Sequence, residues 1–474
     1  MKISFIDTLF NNKLYKIIFF VFLSIIIFAF SYNNGMFWDN VLFTSKMGNY
    51  LLDNSIFNFI LPDQLDPGHP PTLGFLLAVF WKIFGHKLWV SHLLMIPFTV
   101  GLFYQVFQLI KFYVKSNIIS FLGFILVFSD PTLATQLVIV NHEIIQLFFF
   151  FLVINSILKG NYYLKVIALF FLCIISLRGM MLCAGVFLFE FLNLYFIEKQ
   201  KIKTIFSKKI ILSYIIGSIP GLIFIVSHYI SKGWILTHPS SPWEEHHHLV
   251  SISGFIRNLV VMTHRYLDFG RVFIFIFIFY SVLKFKKNLW NKSNKQLLLL
   301  SITSVILIVV ASLLKTNPFG HRYFIASYIC LTILALVLIQ NNFKNKKIIY
   351  TLLLAGLISG NLWIYPRNIA QGWDATLAHV PYYNLRIEAI NYLDKNNIEI
   401  DDVGTFFPNL TSIDNVDLSG DMRSFSSFNG ENNFLFYSNV YNLTDEEYDI
   451  IDTKYTLIKQ FNKFNIHVNI YKLK

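Results

Sequence analysis

The sequence predicts an all-α polytopic membrane protein with about eleven spans, outer-face interfacial helices and a small C-terminal α/β extracytoplasmic domain. The chain of 474 residues is 55% hydrophobic and only 14% charged, which leaves too little polar surface for a soluble protein of this length. Apolar runs long enough to cross about 30 Å of hydrocarbon recur through residues 1–365. These runs must be helical, because a backbone exposed to lipid has to satisfy its own hydrogen bonds. Residues 366–474 are instead polar.

The apolar runs give the candidate spans in order. The first, IIFFVFLSIIIFAFSY, follows Lys13 and Lys16, and no small-residue cleavage site comes after it. We therefore expect a retained span and not a signal peptide. The predicted spans are 17–32, 89–110, 117–129, 143–158, 162–177, 180–197, 210–230, 271–283, 296–314, 321–340 and 347–365.

The distribution of lysines predicts the orientation of the spans. Residues 72–84 are apolar but short, and counting them as a span would reverse everything that follows. If they form an interfacial or re-entrant helix instead, cations collect in the cytoplasmic loops, as the positive-inside rule requires. Residues 33–88, 231–270 and 366–474 then lie outside. The lysines placed inside are Lys111, Lys115, Lys159, Lys165, Lys199, Lys201, Lys203, Lys208, Lys209, Lys284, Lys286, Lys287, Lys292, Lys295, Lys344, Lys346 and Lys347.

Charge and cysteine content exclude other classes of protein. The net charge of +12 comes largely from these loop lysines, so it sets orientation and does not indicate a nucleic-acid partner. Cys173, Cys183 and Cys330 all lie in apolar segments, which is typical of buried small residues and not of disulfides or metal ligands. The bias toward Lys, Asn, Ile and Phe is what an AT-rich bacterial genome gives.

The C-terminal segment has the pattern of a small α/β domain. The runs VGTFF (403–407), NFLFYSNV (433–440) and FNIHVNIYKL (464–473) read as strands, and NLRIEAINYLDKN (384–396) has helical periodicity. We therefore divide the chain into a transmembrane domain, 1–365, with an outer loop over 33–88, and an extracytoplasmic domain, 366–474.

Polar residues of the first outer loop carry the strongest functional signal. Asp39 follows the first span closely, and an acid at that depth is costly unless it is paired or functional. The alternative is an interfacial acid that faces water. The turn DPGHPP (66–71) then interrupts two apolar stretches. Proline fixes φ there and glycine permits a tight turn, so this segment is predicted to be rigid.

This loop resembles that of the GT-C superfamily of glycosyltransferases. The resemblance rests on an acid just after the first span, an (H/K)PP turn and a short apolar helix ending in FG, most specifically in GHPPTLGFLLAVFWKIFG (68–85). SDPTLATQ (129–136) and GHRYFIASYICL (320–331) add to it. The closest branch contains the protein O-mannosyltransferases and the aminoarabinose transferase of lipid A. The resemblance covers residues 15–365.

The resemblance implies an inverting hexosyl- or pentosyltransferase whose donor is a polyprenyl-phosphate sugar. An acceptor hydroxyl would attack the anomeric carbon, with Asp39 in the family's base position accepting its proton. Cations and hydrogen-bond donors are needed for the leaving phosphate. The acceptor stays open between a lipid, a glycan and a protein. The substrate-binding candidates are His69, Arg178, Arg322, Tyr323, Glu143 and Arg265.

Several features depart from the family or remain open. Many relatives have Asp-Glu where this chain has Asp39-Asn40, which puts metal-assisted chemistry in doubt and keeps a non-catalytic relative as an alternative. Glu143 is either a second acid of the site or a helix-start acid. Asp130 reads as a turn and helix start. Adjacent histidines in EEHHH (244–248) do not share a helical face, so a solvated loop is favoured over a metal site. No metal ligand and no certain cofactor is assigned.

Two further regions have alternative interpretations. His264, Arg265, Asp268 and Arg271 either add to phosphate binding or form a salt-bridged loop, and YPRNIAQGWDATLAHVPYY (365–383) is a candidate lid. At the level of function, the alternatives are a transporter or flippase for lipid-linked glycans and an O-antigen-ligase-like transferase. A transporter predicts charged or broken helices near mid-membrane. The polar residues collect at one face instead, which favours an enzyme in the bacterial inner (plasma) membrane, in contact with membrane lipids.

Overall fold

The computed structural model describes residues 5–236, 238–240, 244–286, 289–316 and 319–474. Several helices of the membrane part begin at polar residues that satisfy the free N–H groups of the first turn. Asn12, Ser116, Asn141 and Asn161 each accept a main-chain N–H in this way. These caps mark where the four helices begin.

Twelve α-helices lie in the described residues 5–232, with π-helical turns over Val41–Lys46 and Asn193–Ile197. They are α1 Phe5–Asn11, α2 Lys13–Ser31, α3 Met47–Asp53, α4 Thr72–Phe84, α5 Leu88–Tyr113, α6 Asn117–Phe128, α7 Pro131–Val138, α8 His142–Leu158, α9 Tyr162–Ile175, α10 Leu177–Leu192, α11 Ile202–Ile205 and α12 Lys208–Lys232.

Six further helices follow in the described residues of the membrane part, and one of them is the buried central helix. They are α13 Ile252–Leu267, α14 Arg271–Lys284, α15 Lys292–Thr303, α16 Ile306–Leu313, α17 Ile325–Asn342 and α18 Lys346–Ser359. Helix α17 is apolar all round and almost wholly enclosed, as expected of a core helix. The outer helices instead expose large apolar side chains such as Phe22, Ile223 and Phe279, which suit contact with lipid.

The helices agree with the predicted fold class, and each of the eleven predicted spans coincides with helix. Among the described residues, six helices are long and apolar enough to cross a bilayer, or up to eight if each of two bent helix pairs counts as one span. The bends are 76° between α6 and α7, and 91° between α13 and α14.

Helix α4 matches the predicted short helix and packs on α3 and α5. Helix α13 was not predicted. The number of crossings and the interfacial placement of α4 remain predictions.

The C-terminal segment forms a small α/β domain, as predicted. The elements are α19 Pro381–Lys395, β1 Val403–Thr405, α20 Asp414–Asp417, β2 Ser426–Ser427, β3 Phe434–Ser438, α21 Asp445–Lys454, β4 Tyr455–Lys463 and β5 Ile466–Leu473. The strands lie in the order β2-β1-β3-β5-β4; β1 pairs in parallel with β2 and β3, and β5 pairs antiparallel with β3 and β4. The two edge strands, β2 and β4, were not predicted.

Candidate active site

Arg322 lies at the centre of a cluster of charged side chains at one end of the bundle. It belongs to a 3-10 turn, His321–Phe324, that leads into the central helix α17. Its Nη1 donates to Oδ2 of Asp374 at 2.7 Å, its Nη2 contacts Oδ2 of Asp39, and its Nε lies 3.2 Å from Oε1 of Glu143. One buried guanidinium therefore meets three carboxylates from three distant segments. Charge-assisted contacts of this kind are the strong ones in proteins.

Asp39 is presented by an unusual stretch of backbone. The preceding residue, Trp38, has φ of 54°, a conformation that costs a bulky side chain energy. The main-chain carbonyl of Asp39 then accepts the N–H groups of Leu42 and Phe43 at 3.1 and 2.9 Å, which starts the π-helical turn. The Asp39 side chain keeps 19% of its surface exposed, against 6% for Arg322. Asp39 is thus the more accessible partner of the pair.

Glu143 joins Arg322 to a second arginine. It lies in the first turn of α8, where Oε1 accepts from Nη1 of Arg178 at 2.7 Å and Oε2 accepts from Nε2 of Gln146 at 2.8 Å. The guanidinium carbon of Arg178 lies 4.3 Å above the ring centre of Tyr323, a cation–π contact. Glu143 is therefore an acid of the cluster that also lies in the first turn of a helix, and its part in the site remains a prediction.

His69 approaches the same cluster from the DPGHPP turn. Its Nδ1 accepts the main-chain N–H of Leu177 at 3.4 Å, so the neutral ring carries its proton on Nε2. Burial lowers the pKa of His69 well below its ordinary value, and the positive charge of Arg178 lowers it further. His69 is thus suited to donate a hydrogen bond as a neutral ring, and the positive charge of the cluster comes from its two arginines.

Asp374 comes from the segment that the sequence suggested as a lid. Its main-chain carbonyl accepts from Nε2 of Gln136 at 2.8 Å, which fixes the segment over α7. Burial raises the pKa of the Asp374 carboxyl. His379, in the same segment, lies outside the cluster and stacks on Phe37, with ring centres 4.5 Å apart.

Most of the charged side chains in the 264–271 region form ion pairs, as in the salt-bridged alternative for this loop. Asp130 caps α7 and accepts from Arg271 at 3.1 Å, and His321 lies 2.7 Å from Asp268. Burial opposes the charged form of Asp268, but its hydrogen bonds with His321 and Tyr365 lower its pKa to about 2. Arg265 donates through Nε to the carbonyl of Phe319 at 3.0 Å and has no ion pair within the described residues. Its role in substrate binding remains a prediction.

The EEHHH segment makes one contact within itself and one with Lys315. His248 lies 3.2 Å from Glu244, and Lys315 contacts His247 at 3.3 Å. Within the described part of the chain, no group of three or more His, Cys, Asp or Glu side chains is arranged to hold a metal ion. Trp243, which the sequence places beside this segment as an interfacial anchor, lies outside the described residues.

Comparison with known proteins shows what kind of fold this chain has. No protein-family model matches the sequence, and no curated protein matches it. Two crystal structures of ArnT from Cupriavidus metallidurans do match in structure. The one bound to undecaprenyl phosphate has a TM-score of 0.53 at 8% identity, covering 97% of this chain and 98% of that chain. The apo structure has a TM-score of 0.54 at 9% identity, covering 96% and 97%. The chain has an ArnT-like fold. The resemblance seen in the sequence is therefore confirmed at the level of the fold.

Four of the predicted residues meet in one cluster with the predicted base Asp39: Glu143, Arg178, Arg322 and Tyr323. His69 lies beside this cluster, through its contact with the main chain of Leu177. Two members were not predicted as site residues. Asp374 had a visible signal, an acid within a segment rich in aromatics. His142, whose Nε2 lies 2.9 Å from Nη2 of Arg178, had none beyond its place next to Glu143.

Proposed function

We propose that this protein is a glycosyltransferase that moves a sugar from a polyprenyl-phosphate carrier to an acceptor hydroxyl, with inversion. The ArnT-like fold supports the class, since one of the matching ArnT structures has undecaprenyl phosphate bound. The reaction takes place at the outer face of the bacterial inner membrane, with the 366–474 domain outside. The lysine-rich loops support this orientation.

The observation that carries the proposal is the pairing of Asp39 with Arg322. Glycosyl transfer from a lipid phosphate needs a proton acceptor near the attacking hydroxyl and cations near the leaving phosphate. Here a partly exposed carboxylate touches a buried guanidinium, and Glu143 joins that guanidinium to Arg178. Both requirements are therefore met within one set of contacts.

The residues have defined parts in the reaction. The acceptor oxygen forms its bond to the anomeric carbon as its proton passes to a carboxylate oxygen of Asp39. The bond between the anomeric carbon and the phosphate oxygen breaks, and the lipid phosphate leaves with the electron pair. Arg178 and Arg322 stabilise this anion by charge, and His69 donates a hydrogen bond to it from Nε2. Tyr323 holds Arg178 through its ring face.

The test is release of polyprenyl phosphate from short-chain polyprenyl-phosphate hexoses and pentoses by purified protein. We compare the wild type with Asp39→Asn, which keeps the shape but cannot accept the proton. Asp53→Asn is the matched control, because Asp53 is an exposed acid of the same outer loop. We expect Asp39→Asn to lower turnover by about 10²- to 10⁴-fold, the usual contribution of a general base.

The outcomes separate the functional classes. Turnover that Asp39→Asn leaves intact would overturn the base assignment. The protein is a transporter if it releases polyprenyl phosphate from none of the carriers and instead moves lipid-linked sugars across the membrane of vesicles. Turnover only with diphosphate-linked oligosaccharides would favour a ligase-like transferase.

A further inference from the structure

His228 makes polar contacts through both of its ring nitrogens. It lies in the last two turns of α12 and is almost fully buried. Its Nδ1 lies 3.0 Å from the main-chain carbonyl oxygen of Trp234, and its Nε2 lies 2.9 Å from Oδ2 of Asp66. Both partners are hydrogen-bond acceptors. Asp66 is the first residue of the DPGHPP turn, 162 residues earlier in the chain.

These contacts require one proton more than a neutral imidazole and an ionised carboxylate provide. A neutral imidazole has a single N–H, so it can donate to only one of the two acceptors. Either the ring is protonated beside a carboxylate, or the carboxyl is protonated and donates to the ring. Burial raises the pKa of Asp66, which favours retention of the proton by the pair.

The pair fixes the turn that carries His69. The second oxygen of Asp66, Oδ1, accepts the N–H of Gly68 at 2.8 Å. Gly68 has φ of 72°, and a Cβ there would lie 2.9 Å from the carbonyl oxygen of Ile235. The turn is therefore packed against the segment that follows α12. His69 comes next in the chain and reaches Leu177, the neighbour of Arg178.

We propose that the His228–Asp66 pair positions His69 in the transferase site, and that it does so only while the two side chains share a proton. His228 and Asp66 are then positioning residues that act through the turn and do not touch the substrate. This inference rests on the proposed function and deepens it, because it names what orients one donor to the leaving phosphate.

Other charged groups lie close to these elements. Lys232, one turn after His228, pairs with Asp63 at 2.7 Å, and His238 lies near that pair. Lys232 also acts on Asp66 by its charge, and Arg178, His142, His247 and Arg322 act on His69. The Asp63–Lys232 pair joins the same two elements as the proposed pair but is partly exposed. It therefore provides a matched control.

The decisive variant is Asp66→Asn. An asparagine can accept the N–H of Gly68 through its oxygen and donate from its amide to the neutral Nε2 of His228, so the same hydrogen bonds form without a titrating proton. We expect wild-type turnover of a polyprenyl-phosphate sugar to fall as the pH rises above neutral. Asp66→Asn keeps the turnover near neutral pH and removes that alkaline fall.

Other variants define the cost of losing the pair. Asp66→Ala and His228→Ala leave buried polar groups unpaired, and we expect each to lower turnover about 10- to 100-fold. Asp63→Asn should retain the wild-type profile, since a partly exposed ion pair contributes little. If Asp66→Asn is as inactive as Asp66→Ala, or keeps the alkaline fall, the proposal is overturned.

The unfolding temperature tests the shared proton without any use of activity. In the folded protein the extra proton is held between two buried side chains, His228 and Asp66, an arrangement that the unfolded chain lacks. The stabilisation that depends on this proton is lost at a pH high enough to remove it, whereas Asp66→Asn makes the same hydrogen bonds without a titrating proton. The wild type should lose stability relative to Asp66→Asn above neutral pH. Parallel profiles would overturn the shared proton even if no carrier is turned over.

Discussion

The guanidinium of Arg322 donates to the carboxylate of Asp374 across 2.7 Å, although 52 residues separate the two in the chain. Helices α17 and α18 lie between them in sequence. The chain therefore passes along the central helix and returns to the same end of the bundle before it supplies the third carboxylate. The cluster is complete only when the 373–379 segment is folded over α7.

Removal of the Arg322 guanidinium should destabilise the protein. Arg322→Gln leaves the carboxylates of Asp39, Glu143 and Asp374 close together without their shared cation. Loss of one partner from a buried ion pair costs about 3–5 kcal/mol. We expect a lower unfolding temperature in detergent and a lower yield. The double variant Arg322→Gln/Asp374→Asn should recover part of the loss.

A matched control for this prediction is Arg367→Gln, because Arg367 pairs with Asp452 on the surface. An exposed ion pair contributes about 0–1 kcal/mol, so this variant should unfold close to the wild type. Equal unfolding temperatures for Arg322→Gln and the wild type would show that the three carboxylates do not depend on Arg322.

The raised pKa of Asp374 predicts a pH dependence of stability. Because the folded pKa lies above the unfolded value of about 3.9, the contribution of this group is most favourable below that value and is lost as the pH rises through the folded pKa. Asp374→Asn removes the titration. The unfolding temperature of the wild type should therefore fall relative to that of Asp374→Asn as the pH rises from 4. A constant difference across that range contradicts the prediction, and Asp452→Asn serves as control.

We expect the aromatic face of Tyr323, and not its hydroxyl group, to contribute to binding of the lipid carrier. Arg178 lies over that face, and a partly desolvated cation–π contact is worth about 1–2 kcal/mol. Tyr323→Leu is expected to raise the KM for the lipid carrier about tenfold, whereas Tyr323→Phe keeps the wild-type value. Carrier titrations at fixed acceptor measure both. A defect shared by Phe and Leu would assign the effect to the hydroxyl instead.

Gly270 is the residue on which the 91° bend between α13 and α14 depends. It has φ of 79°, and a Cβ there would lie 1.9 Å from the carbonyl oxygen of Gly356 in α18. Gly270→Ala must therefore displace backbone, and we expect a loss of several kcal/mol or failure to accumulate. Gly233→Ala is the control that measures the cost of backbone strain without such a clash. Gly233 also has positive φ, of 77°, but a Cβ there meets no described atom within 4 Å. It should cost about 1 kcal/mol.

Much of the fold could be predicted because the membrane imposes simple rules. Apolar runs such as 89–110 and 321–340 predicted their helices, since a lipid-exposed backbone has no other stable form. Helix α13 could not be predicted in the same way. Arg257 and His264 interrupt its apolar residues, so its sequence resembles a polar loop.

The site was predictable only in part, for a related reason. Asp39 and Arg322 were predicted as site residues because each follows or begins an apolar run, and charge is costly there. Their direct contact depends on helix packing between segments 283 residues apart, which no local pattern records. The same is true of Asp374, which packing alone brings to Arg322.

Phe37 ties the first outer loop to the C-terminal domain. This residue precedes Trp38 and Asp39 in the first outer loop, yet it is buried in the hydrophobic core of the C-terminal domain, against His379, Tyr382 and Tyr383. Close by, the N–H of Met36 donates to the carbonyl of Val416 at 2.8 Å. The C-terminal domain is therefore no detachable appendage. Grafting it onto another membrane scaffold, or deleting it, would also remove the support beneath Asp39.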